Sequence, residues 1–198
     1  MQRLLALLLV IASSFNLQAQ SFEGGIIAGI ATSQVSGDLL GGFNKAGLIF
    51  GAYTNRAISY ELTGKLEITY IQKGSRNPAQ DARHEFELNY IEIPLILQYK
   101  AQKNTEIEFG LLVGLLLKAK EVDAIYKNEV LLREAFNKTD YGIAIGFNYK
   151  LADRIHLNSR LSNTLVFTPI REHASLSERW YNQGQYNAVL SFAIHYQL

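Results

Sequence analysis

The chain has 198 residues, 19 basic and 18 acidic, no cysteine and a formal net charge of +1. That balance leaves no electrostatic footprint for nucleic acid, and the lack of Cys excludes a disulfide framework or a lipid-anchoring Cys behind a leader. Charged residues are 19% of the chain, below the ~25% usual for soluble proteins. Past residue 19 no apolar run reaches the ~20 residues of a spanning helix; the best, 111–117, contains Gly114 and stops at Lys118. A membrane protein of this kind has to be a closed barrel, because an open sheet leaves unpaired backbone in lipid.

Residues 1–19 read as an export leader. Arg3 is the positive n-region, 4–12 the apolar h-region, and cleavage is expected after Ala19. Loss of Arg3 leaves acidic and basic residues in balance, and 20–198 reads as one domain.

Eight strands are predicted, at 22–33, 45–55, 58–73, 85–100, 105–120, 139–150, 154–167 and 185–198. The first puts Phe22, Ile26, Ala28 and Ile30 on one face. The second is apolar on both faces, so its phase stays open. The third alternates longest: Ile58, Tyr60, Leu62, Gly64, Leu66, Ile68 and Tyr70 on one face, Ser59 to Thr69 polar on the other. Such a strand suits an oblique bilayer crossing, with Tyr60 and Tyr70 roughly 25 Å apart along the normal. The fourth breaks phase between Tyr90 and Ile91, which predicts a β-bulge there, next to Pro94.

The fifth strand is apolar on 107, 109, 111, 113, 115 and 117, against Glu106, Glu108, Gly110, Gly114 and Lys118. The sixth sets Tyr141, Ile143, Ile145, Phe147 and Tyr149 against Gly142, Ala144, Gly146, Asn148 and Lys150. The seventh sets Leu157, Leu161, Leu165 and Phe167 against His156, Asn158, Arg160, Ser162 and Thr164. The eighth sets Phe192, Ile194 and Tyr196 against Asn187, Ser191 and His195. Connections alternate between tight turns at 55–57, 101–104 and 151–153 and long polar stretches at 34–44, 74–84, 121–138 and 168–184. The pattern predicts an all-β, eight-stranded antiparallel up-and-down transmembrane β-barrel, with an apolar outer face in lipid and Tyr60, Tyr70, Tyr141, Tyr149 and Tyr196 facing that lipid.

Three segments carry a resemblance: Tyr70-Ile71-Gln72-Lys73-Gly74, Asn89-Tyr90-Ile91-Glu92-Ile93-Pro94-Leu95 and Asp140-Tyr141-Gly142-Ile143-Ala144-Ile145-Gly146. Together, in this order, they resemble the PorT-like family of outer-membrane β-barrel proteins. The resemblance implies an eight-stranded barrel of a Gram-negative outer membrane, folded there by the barrel-assembly machinery and without enzyme activity. Two departures are Arg160-Leu161, where the family often has Arg-Tyr, and a terminal Leu198 in place of an aromatic residue.

No catalytic, cofactor or metal residues are assigned. Glu61, Glu67, Glu92, Glu106 and Glu108 lack any companion nucleophile pattern and read as polar barrel lining. His156 and His195 lie on adjacent strands and one face, but a metal needs three or four ligands and no third is evident. The inward glycines 110, 114, 142 and 146 predict room for long side chains. Counting residues up from the short turns places Lys65, Glu67, Glu92 and Arg160 at one depth, so a lumen charge cluster of these four is expected. The functional expectation is a non-conducting structural or interaction scaffold whose long outer loops meet an envelope partner. A small pore and a soluble lipocalin-like carrier are the alternatives.

Overall fold

The computed structural model describes residues 22–38, 42–76, 84–123, 128–131, 135–172 and 184–198; the expected leader, 1–19, lies outside the described residues. Ten strands run in order: β1 (Glu23–Ser36), β2 (Lys45–Ala57), β3 (Leu62–Arg76), β4 (His84–Gln102), β5 (Thr105–Asp123), β6 (Asn128–Leu131), β7 (Thr139–Ala152), β8 (Ile155–Thr164), β9 (Arg171–Glu172) and β10 (Gly184–Gln197). Eight of them form an antiparallel barrel in the order β1-β2-β3-β4-β5-β7-β8-β10, and β10 closes it on β1, from Gly25↔Gln197 to Ser36↔Tyr186. Closure leaves every barrel strand paired on both sides, which is what lipid demands of backbone polar groups. The two short strands lie in connections expected to be loops: β6 pairs with the upper end of β5 and β9 with Gly184 and Gln185.

Period-two alternation sets the faces. On β7 the side chains of Tyr141, Ile143, Ile145, Phe147 and Tyr149 are exposed, while Asp140, Ala144 and Asn148 are buried. The phase of β2 is now fixed, with Leu48 and Phe50 outside and Ile49 and Tyr53 inside.

Three details differ from the alternation-based expectation. First, β3 begins at Leu62. Residues 58–61 form a turn in which the Ile58 and Ser59 amides donate to the Leu62 carbonyl at 2.8 and 3.0 Å. Ser59 Oγ also accepts from the Glu61 and Leu62 amides, a local bond that competes with strand pairing. Tyr60 therefore rides a turn tip, 87% exposed, and does not stand on a strand face. The height of the apolar band is read instead from Tyr141 to Tyr149, roughly 20 Å at ~3.3 Å per residue and ~40° tilt. Second, β8 stops at Thr164, and the Leu165 amide turns back to the Tyr141 carbonyl at 2.8 Å.

Third, β4 does not break phase. Phe86, Leu88, Tyr90, Glu92, Ile96 and Gln98 all point inward. The extra residue lies on β5: Asn89 faces Lys118 and Tyr90 faces Leu116, which leaves Leu117 over. Beyond it Ala119 turns in and Lys118 turns out, the reverse of the predicted face for Lys118. Apolar side chains point inward above this level because the upper barrel holds a core of its own. Leu88, Tyr90, Leu116, Ala119, Phe136, Ile170, Val35 and Val189 belong to one buried cluster there. Outside that core the wall carries charge, with Lys118 Nζ 3.8 Å from Glu87 Oε2. Pro94 sits inside β4, opposite Leu112; the β3–β4 register runs to Leu66↔Leu95 and resumes at Thr69↔Glu92. A residue with no N–H interrupts the ladder there.

Candidate functional site

The lumen is polar in its lower half and in one belt above it. The lower cluster is built from β3, β4, β5, β8 and β10. Arg160 donates through both terminal nitrogens to Glu67, at 2.7 and 2.8 Å, a fork-to-fork geometry that fixes both side chains. Its Nε and Nη2 also reach Glu108 Oε2, at 3.2 and 3.0 Å. Lys65 Nζ lies 3.2 Å from Glu67 and 3.9 Å from Glu108. Gln98 and Asn158 each donate to Glu108 at 2.8 Å. Two cations thus face two carboxylates, all of them buried. Lys65 Nζ is also 2.7 Å from His195 Nδ1, and it sits 4.6 Å above the Tyr53 ring.

The upper cluster takes one residue from each of β3, β4, β7, β8 and β10. Lys73 pairs with Glu92, and its Nζ is 3.2 Å from Asp140 Oδ2. Thr164 donates to Asp140 Oδ1 at 2.8 Å and Asn187 to Oδ2 at 2.8 Å. Lys73 also stands 4.9 Å over the Tyr90 ring. Higher still, Phe136 and Ile170 cover the barrel. The Asn137 amide donates to the Ile170 carbonyl at 2.7 Å, and Phe86 meets Phe136 edge-on at 6.2 Å.

Of the four residues expected to meet, Lys65, Glu67 and Arg160 come together. Glu92 does not join them and serves Lys73. Its expected place beside Arg160 is taken by Glu108. Counting from the turns ignores the stagger between barrel strands, so equal counts are not equal depths. The signal for Glu108 was its inward phase on the fifth strand. His195 was visible as a polar inward residue, but its contact with Lys65 needs the third dimension. His156 faces His195 directly in register, and no group of three metal-ligating side chains occurs among the described residues.

The glycines make room as the alternation suggested, though not only for cations. A Cβ on Gly146 would lie 3.1 Å from the Arg160 Cα, but one on Gly110 would lie 2.3 Å from Ile96 Cδ1 and one on Gly114 3.2 Å from the Tyr90 ring. Below the lower cluster a polar vestibule of about 170 Å³ opens toward the short turns, between Tyr53, Gln98, Glu106, Asn148 and His156.

Comparison with known proteins places this architecture. Solved structures with the same fold include Ail, the attachment invasion locus protein of Yersinia pestis, in complex with the heparin analogue sucrose octasulfate. Its TM-score is 0.51 at 11% identity, over 90% of this chain and 99% of that one. Neisserial surface protein A gives a TM-score of 0.51 at 15% identity, over 89% and 97%. At these identities the likeness is one of fold alone. No curated protein matches the chain in sequence. The family described as outer membrane protein beta-barrel domain matches residues 18–170. With its strands closed, its outer face apolar and its lumen filled, the chain belongs to that family and is an integral β-barrel protein of the bacterial outer membrane.

Proposed function

We propose that this barrel is a sealed, non-conducting scaffold that acts through the end carrying its long connections. The observation that supports this most is the filled lumen: two ion clusters in series, with an apolar plug above them. A side-chain-filled interior is what eight strands allow, unlike the wide channel of 16–18-stranded porins. The reading assigns no reaction to the protein. It takes residues 1–19 as a removed leader, 20–198 as one domain, and PorT-like proteins as the nearer kin within the family. It also takes the barrel-assembly machinery as the partner during folding and an envelope protein as the partner afterwards. The long-connection end faces outward and both chain ends face the periplasm, because β4 and β5 run on past the apolar band into a charged wall. In planar bilayers the purified protein is expected to give no steady ohmic conductance. Stable single-channel steps would favour the small-pore alternative.

In this orientation Tyr70 and Tyr141 mark the outer lipid interface and Tyr149 and Tyr196 the inner one. Tyr99, 45% exposed and outward on β4, joins the inner set. Tyr60 reaches the same interface from its turn, with Lys100 Nζ 4.7 Å above its ring. Ile145 is midway between Tyr141 and Tyr149 and half exposed, so it faces the bilayer centre. Ile145→Arg should cost about 2–4 kcal/mol in denaturant unfolding from lipid vesicles. Ile145→Leu is the control and should stay below about 1.5 kcal/mol. Equal tolerance of the two would show that this face does not meet lipid.

A further inference from the structure

We propose that the outer face of β7 and β8 holds one anionic lipid of the outer leaflet, its acyl chain in a slot beside Gly110 and its linkage carbonyl on the Asn163 amide. The slot, of about 400 Å³, has Phe109, Ile143, Ile145 and Leu161 as walls and the backbone at Gly110 and Ala144 as floor. It exists because Gly110 and Ala144 turn toward the lumen, so that backbone alone lies between the outward side chains around it.

Asn163 closes the upper end. It is exposed on the outward face of β8, and its side chain has no partner among the described residues. The adjoining outward positions of β5 and β7 are apolar from Ile107 to Leu115 and from Ile143 to Phe147. An amide left unpaired in hydrocarbon is costly, so a partner is expected. Its depth says which kind. Asn163 pairs in register with Ile143, one step below the Leu165–Tyr141 bond, so it lies roughly 5 Å toward the bilayer centre from the Tyr141 level. That is where the ester or amide carbonyls of a lipid sit. Above it, on the segment leading into β7, Lys138 is exposed, three residues beyond Tyr141 and so on the headgroup side of that level.

Cation, amide donor and apolar slot thus follow one another down the wall in the order of phosphate, linkage and chain of an anionic lipid. The slot is continuous with the face by which the barrel meets the membrane, so lipid reaches it without any assembly step. The assignment to the outer leaflet rests on the orientation proposed above.

The test is native mass spectrometry of the protein released from detergent, titrated with lipid A, with phosphatidylethanolamine as comparison. One lipid A should stay bound per barrel. Asn163→Leu and Lys138→Gln should each weaken retention about tenfold, as for the loss of one charge-assisted or buried hydrogen bond. Leu161→Trp, which fills the slot, should abolish it. Heat-modifiability on gels reports that each variant is folded. Retention unchanged in all three variants, tighter binding of phosphatidylethanolamine, or a dimer mass lost on Asn163→Leu would each overturn the site; the last would assign the slot to a second copy. Orientation is read separately, by labelling Ala135→Cys with an impermeant maleimide on intact cells, since the chain has no other cysteine. Labelling without lipid retention removes the lipid site and keeps the orientation. Absence of labelling in a folded barrel overturns the orientation and the leaflet assigned with it.

Discussion

Arg160→Ala should destabilise the barrel by about 3–5 kcal/mol, measured by denaturant unfolding in lipid vesicles. The guanidinium is the one group that touches both Glu67 and Glu108 through several bonds. Removing it leaves two buried carboxylates with Lys65 as the one cation near both among the described residues. Glu108 keeps Gln98 and Asn158, whereas among the described residues Glu67 keeps the lysine alone. Most of the loss is therefore the penalty of an uncompensated charge, not the worth of the contacts. Glu67→Ala should cost a similar amount for the opposite reason, because two cations then share Glu108. The double variant restores balance, one cation to one carboxylate. Its loss should fall well below the sum of the two single losses. Additive losses would show that the groups do not interact, and the lower plug with them.

Much of this architecture is legible in the chain because a membrane strand obeys one simple rule. Outward positions must be apolar, so Ile143, Ile145 and Phe147 announce a lipid face on a single strand, without knowledge of any neighbour. The rule fails where the wall leaves the membrane. Phe86, Leu88 and Tyr90 look like outward residues in the wrong phase, and a bulge in their own strand was the natural repair. They point inward because the barrel above the band has a dry core and a wet exterior, as a soluble domain has. The compensating extra residue is then Leu117 on β5, inside an apolar run whose composition hides any change of phase. Ser59 marks the other failure. Its alternation fits a strand, but its hydroxyl bonds to the backbone of a turn, and local chemistry outweighs the pattern.

The lumen was legible in residue type more than in partnership. Alternation placed Lys65, Glu67, Glu92, Glu108 and Arg160 inside. Which carboxylate meets which cation depends on how far each strand is staggered against the next, and on side-chain length. Arg160 selects Glu67 and Glu108 because its fork can lie between β3 and β5 beside Gly146, where a Cβ would come within 3.3 Å of the Arg160 Cβ. Lys73 was concealed by Ile71, which follows the polar positions of β3 on the same inner face and is itself buried at 2% exposure. The run of inward polar residues Lys65, Glu67 and Thr69 is interrupted there. It resumes one step higher as the second cluster.

That second cluster yields the other large expected effect. Lys73→Met keeps most of the side chain's volume but removes the cation shared by Glu92 and Asp140. Asp140 retains the Thr164 and Asn187 donors. Glu92, 4% exposed and beneath the apolar plug, loses the ion pair that accompanies its burial. A loss of about 3–5 kcal/mol is expected, again from a stranded buried charge. Lys73→Met with Glu92→Gln should recover a large part of it, because a neutral amide carries no such penalty. The recovery separates this account from a packing account: if Met simply fits badly against the Tyr90 ring, Glu92→Gln cannot repair it. The two clusters share no residue, and Glu92 and Arg160 are not partners. Losses from Lys73→Met and Arg160→Ala should therefore add within about 0.5 kcal/mol. A large coupling between them would mean that the lumen charges form one network, and that Glu92 belongs with Arg160 after all.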